Sequence, residues 1–84
     1  MSREWLVYVL RCRDGSLYTG ITNDLERRLA SHRAGTGSAY VRARLPIRVV
    51  FREPQPDRSM ALRREAAIKK LTRRDKLALL RRHR

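Results

Sequence analysis

Two short apolar segments separated by a turn dipeptide, close to the start of the chain, constrain its fold more than any other feature. Trp5-Leu6-Val7-Tyr8-Val9-Leu10 is an unbroken run of β-branched, aromatic and aliphatic residues, and Leu17-Tyr18-Thr19 follows after Asp14-Gly15. Such residues favour strands, and Asp-Gly is the kind of dipeptide that tight hairpin turns require. A β-hairpin is therefore predicted, its second strand broken by Gly20. The turn brings Tyr8 and Tyr18 near one another if they share a sheet face.

Downstream, Asn23 is predicted to cap a helix running to about Arg33, with Glu26 in the capping-box position and Leu25 and Leu29 as its buried seam. Gly35-Thr36-Gly37-Ser38 reads as a loop, and Ala39 to Arg44 as one short helical turn closed by Pro46. Ile47-Arg48-Val49-Val50-Phe51 predicts a third strand that ends before Pro54 and Pro56. Asp57 is placed to cap a helix reaching about Leu71, and Thr72 with Asp75 opens a last helix carrying Leu77, Leu79 and Leu80. The order ββα, loop, βαα belongs to the α+β class, with no internal repeat.

At 84 residues the chain has room for one modest core, so residues 1–84 are read as a single domain. Its 21 Lys and Arg against 8 Asp and Glu give a net charge of +13, which repels itself unless an anionic partner is bound. Nucleic acid is the leading candidate. From Arg58 to the end, 11 cations face 2 acids, so the basic surface is concentrated there. Eighteen of the cations are Arg, which forks well onto phosphate, although a genome favouring Arg codons accounts equally for that share. No stretch approaches the roughly 20 apolar residues that span a bilayer. Met1-Ser2-Arg3-Glu4-Trp5 lacks a secretory apolar region, so a cytoplasmic protein without a membrane partner is expected. With Cys12 the only cysteine, no internal disulfide or cysteine-based zinc site can be built, and with His32 and His83 the only histidines a histidine-rich metal site is not expected.

Cutting a phosphodiester needs a proton acceptor for water, cations over the developing charge, and usually a carboxylate-held metal. Tyr8 and Tyr18, taken singly, are ordinary half-buried strand tyrosines. Arg28 and His32, at i and i+4, project from one helix face beside the leucine seam, where a solvated surface is the simpler account. Glu65 is more informative, because on a helical wheel it falls between Ala61, Leu62 and Ile68. An ion pair with Lys69, one turn on, explains it as well as metal binding does.

These residues, in this order, resemble the signature of the GIY-YIG endonuclease superfamily, as its small bacterial members carry it. Leu6-Val7-Tyr8 and Tyr18-Thr19-Gly20 are similar to its two halves, and Ile21 to Leu29 with His32 is similar to the helix segment that follows. Glu65, in Arg64-Glu65-Ala66-Ala67-Ile68-Lys69-Lys70, lies where such proteins carry their metal-binding glutamate. The resemblance spans roughly Trp5 to Leu71. It implies a small three-stranded antiparallel sheet flanked by helices, and a divalent-metal-dependent endonuclease acting on DNA. By position, Glu65 would bind Mg²⁺ or Mn²⁺ and Arg28 would steady the scissile phosphate. Tyr8 and Tyr18 would orient or deprotonate the attacking water with His32 assisting. A phenol near pKa 10 is a poor base at neutral pH, so Arg28 and the metal would have to lower it, or His32 or a water on the metal would do the proton work.

Leu6 replaces the first Gly of the signature, Thr19 the middle residue of the second triplet, and Ile21 stands where some members have Lys. The only Asn is Asn23, so the further Asn that several such nucleases use has no counterpart. Two other readings compete. One is a basic nucleic-acid-binding module without catalysis, and the other a basic domain that binds an acidic protein partner.

Overall fold

β1 (Trp5–Cys12) is the centre of a three-stranded antiparallel sheet, between β2 (Leu17–Thr22) and β3 (Ile47–Gln55). The fold is seen in a computed structural model that describes residues 4–83; Met1, Ser2, Arg3 and Arg84, the two arginines counted above among the basic residues, lie outside the described residues. The central position explains why the first apolar run does not alternate with polar residues. Val7 and Val9 face a cluster with Phe51, Ala61 and Ile68, while Tyr8, Leu10 and Cys12 face a second cluster with Val41 and Ile47. Helices cover both faces. α1 (Leu25–Arg33) and α2 (Ala39–Arg42) pack on the Tyr8 side, and α3 (Arg58–Lys69) and α4 (Arg73–Arg82) on the Val7 side. This is the ββα, loop, βαα arrangement that the sequence predicts.

Three local expectations are corrected. Gly20 does not break β2; it pairs with Tyr8, and the strand runs on to Thr22. The glycine serves close approach, because a Cβ at position 20 would stand 2.5 Å from the Tyr8 hydroxyl. β3 does not stop before Pro54, which pairs with Leu6, but continues to Gln55. It is an edge strand, with one side outside the ladder, so a missing N–H is tolerated there. The cap of α1 is Asp24 rather than Asn23, its carboxylate accepting from the Arg27 backbone N–H at 3.2 Å. Thr22 fixes that choice: its hydroxyl accepts from the Asp24 N–H, so the helix begins one residue later.

Other ends match their sequence signals. Asp57 accepts from the Met60 N–H at 2.8 Å and Thr72 from the Asp75 N–H at 3.1 Å. α3 ends at Lys69, two residues short of Leu71, whose N–H instead bonds to the Ile68 carbonyl as the chain turns. In the hairpin turn, Gly15 adopts φ +84° and its N–H donates to the Cys12 carbonyl. A bulge opposite Val9 and Leu10 inserts Val50, which places both Val50 and Phe51 against the Val7 cluster.

Candidate active site

Tyr8 is the hub of the site. Its ring lies across Gly20, so the phenol reaches over β2 toward α1. From α1, Arg28 Nε donates to the Tyr8 oxygen at 3.3 Å, and His32 Nε2 shares a hydrogen bond with it at 2.9 Å. The i, i+4 spacing is what lets one helix deliver both groups to one oxygen. Tyr18 is diagonal to Tyr8 on the same sheet face, with ring centroids 6.4 Å apart, and its ring meets His32 edge-on at 5.4 Å. The face-sharing condition set by the sequence is met.

Electrostatics follow from burial. Tyr8 and His32 are both fully buried. Burial pushes the Tyr8 phenol above its ordinary range; the Arg28 hydrogen bond and charge oppose this and do not overcome it, and Tyr18 and Glu65 add to the rise. Arg28 thus acts on Tyr8 in the expected direction, but without the metal's charge beside it desolvation wins. Burial likewise holds the His32 imidazole below its ordinary value, with the Arg28 charge adding to the effect, so the ring is neutral at neutral pH. Hydrogen bonding to Tyr8 raises the pKa of Arg28, which stays charged.

Among the described residues His32 Nδ1 has no hydrogen-bond partner, and the Gly37 backbone packs against it so closely that a Cβ there would come within 2.7 Å. A proton on Nδ1 would be a buried orphan donor, costing about 1–3 kcal/mol. With the proton on Nε2 instead, it is the buried Tyr8 hydroxyl hydrogen that lacks an acceptor, so one buried donor goes unpaired in either tautomer. Arg28 is the fixed donor to the phenol oxygen, and His32 shares the second hydrogen bond.

Glu65 comes from α3, on the opposite face of the sheet. It is mostly buried, with 19% of its side chain exposed, and pairs with Lys69 at 3.5 Å. Its carboxylate is close enough to Tyr8 to influence that phenol, as the smallest of five effects. No group of three or more His, Cys, Asp or Glu converges among the described residues. Arg28 also lines a polar cleft of about 380 Å³ with Thr22, Asn23, Asp24, Arg27 and Ser31.

One aromatic neighbour escaped the sequence reading. Tyr40 of α2 stacks on Tyr18 with centroids 6.1 Å apart and is 39% exposed, while the Arg44 guanidinium lies 3.7 Å over its ring. Arg44 in turn pairs with Asp14 of the hairpin turn at 3.2 Å. Nothing in the spacing of Tyr40 announces this, because the loop before it sets where α2 lands.

Two strand tyrosines on one sheet face, with an Arg and a His from the next helix, thus converge on one place in a small ββα-βαα fold. Residues 4–78 match the GIY-YIG catalytic domain model, and the chain belongs to that family. It is 51% identical over 78 residues to a UPF0213 protein of Xanthomonas axonopodis pv. citri (93% of this chain, 76% of that one). It is 48% identical over 80 residues to a UPF0213 protein of Streptococcus sanguinis (95% and 92%). Among solved structures, it resembles the solution structure of a UPF0213 protein from Bacillus halodurans at 43% identity and TM-score 0.60, covering 92% of this chain and 82% of that one. A protein from E. faecalis is similar at 40% identity and TM-score 0.65, covering 99% and 92%. Among the described residues, no helix is long and apolar enough to cross a membrane.

Proposed function

We propose that the chain is a single-domain, divalent-metal-dependent endonuclease that hydrolyses phosphodiester bonds in DNA. The observation that carries this is the double duty of Arg28, which donates to Tyr8 while lining the polar cleft. A phosphate in that cleft meets a fixed guanidinium at the rim of the tyrosine pair. Tyr8 is enclosed and Tyr18 only half-buried. Tyr18 is therefore the phenol that water can reach, to be oriented or deprotonated there, and Tyr8 holds Arg28 and His32 in place. His32, neutral, assists by fixing the Tyr8 oxygen.

Glu65 fits a Mg²⁺ or Mn²⁺ ligand in one sense. Such ions are commonly held by one or two carboxylates, with waters and substrate phosphate completing the shell, so a single carboxylate suffices once a phosphate is present. When bound, the cation supplies positive charge and Lewis acidity at the phosphate. Glu65 must exchange Lys69 for it.

The test incubates purified protein with plasmid and branched DNA, with Mg²⁺, with Mn²⁺ and with chelator, beside Glu65→Ala and Tyr18→Phe. Nicking should need metal and vanish in both variants while DNA binding persists; cleavage unchanged in both would point to a contaminating nuclease and overturn the reading. The Glu65–Lys69 ion pair favours a second reading, a basic binding module without catalysis. It predicts salt-sensitive binding that metal does not alter.

A further inference from the structure

Three arginines on the α4 side of the sheet take no part in the site described. Arg11 of β1 and Arg48 of β3 are direct cross-strand partners, and Arg81 of α4 joins them around a hollow of about 300 Å³ floored by Val50, Leu77 and Leu80. All three are exposed. Like charges placed opposite one another weaken a sheet. The ion pairs found among the described residues do nothing to relieve them: Asp14 goes to Arg44, Glu53 to Arg64 and Glu65 to Lys69.

An anion would turn this cost into a gain, because guanidinium forks match phosphate oxygens. The shape argues for a polymer over a single small anion. Arg11 and Arg48 also line a neighbouring hollow of about 270 Å³ with Arg13, so the cationic surface continues around the strand ends as a track rather than closing into a cup.

We propose that Arg11, Arg48 and Arg81 form a second phosphate site, which anchors the nucleic-acid backbone on the sheet face opposite the tyrosine pair. This rests on the nucleic-acid reading above and extends it: the substrate would wrap around the sheet end, with the cutting cleft on one side and the anchor on the other.

The test measures binding of a fluorescent duplex of about 20 base pairs by anisotropy, in chelator, across a salt series. The molecule's longest extent is 34 Å, which about 10 base pairs span, so the probe can reach both places. R11Q/R48Q, which also relieves the cross-strand repulsion and should fold at least as well, is compared with wild type, with R81Q, and with R63Q/K70Q, which removes the same charge from exposed positions on α3 and at its C-terminal cap. R11Q/R48Q should bind several-fold more weakly at low salt, and its log-log salt slope should be shallower by about 1 to 2, at ~0.9 per lost phosphate contact. R81Q should act in the same direction, and R63Q/K70Q should change the slope less.

Equal losses in R11Q/R48Q and R63Q/K70Q would reduce the effect to net charge and overturn the proposal. So would inorganic phosphate, or polyglutamate, binding wild type but not R11Q/R48Q while the DNA curves of the two coincide. If wild type itself binds no DNA, the function reading fails and takes this proposal with it; if wild type binds and R11Q/R48Q is identical to it, only this proposal fails.

Discussion

Gly20 is the residue on which the site turns, since the absence of a side chain there lets the Tyr8 ring lie across β2 and meet Arg28 and His32 at one oxygen. Strand alternation places Tyr8 and Tyr18 on one sheet face and the i, i+4 spacing places Arg28 and His32 on one side of α1, but only the family resemblance implies that the four meet. Spacing alone favours a solvated Arg28 and His32, and the burial of His32 corrects that reading. Gly15 is legible as the turn residue, whereas the roles of Gly20 and Gly37 are not. Gly20 looked like a breaker and Gly37 like loop filler, whereas each gives up its side chain to a buried ring. Gly20→Ala should therefore destabilise the fold by about 1–3 kcal/mol, since the new methyl and the phenol cannot both be accommodated. Urea denaturation gives the number, and an unchanged midpoint would mean that the Tyr8 ring moves freely. His32 gives a pH signature. Its folded-state pKa is held below the unfolded value of about 6.5, so above that pH both states are neutral and its contribution is fully present. As pH falls below 6.5, the unfolded chain takes up a proton that the folded protein resists, and stability declines. His32→Asn should flatten this slope between pH 7.5 and 5, measured as urea midpoints; a slope identical to wild type would assign it to other groups.

At the scale of elements, caps and apolar seams carried the prediction, and edges defeated it. Asp57 and Thr72 cap α3 and α4 as their sequence signals indicate, because a cap is a local bond between neighbours in the chain. The extension of β3 through Pro54 was hidden, since proline excludes only interior strands and nothing local states which strand lies at the edge. Helical periodicity places Glu65 beside Ala61 and Ile68, which are buried, but Leu62 of the same expected arc is exposed, because which side of α3 meets the sheet depends on how the helix crosses β1 and β2. α3 is held chiefly by Ala61 and Ile68, both buried beside Val7, Val9 and Phe51. Ile68→Ala should cost about 2–5 kcal/mol by opening a cavity under the helix that bears Glu65. Asp57→Ala, which only unties the first turn, should cost about 1 kcal/mol. Thermal melts order the two, and a larger loss from the cap would show that α3 is anchored by its end and not by its seam.

At the scale of the whole molecule, charge dominates and was fully legible, since it is a sum over residues. A net charge of +13 sits on a body of 34 × 29 × 21 Å. The screening length is about 30 Å at 0.01 M salt and about 10 Å at 0.1 M, so in dilute salt cations across the whole protein feel one another, and at moderate salt only neighbours do. Two opposite responses to the same variable are expected. The free protein should become more stable as salt rises from about 10 to 100 mM, because self-repulsion in the compact state is screened. Its affinity for DNA should fall steeply over the same range, because the counterions displaced by binding become harder to release. Melting temperature and anisotropy, measured on the same samples, separate the two effects. A melting temperature that stays flat while affinity falls would mean that the basic surface is already balanced within the free fold, and that its cations serve the nucleic acid without weakening the protein that carries them.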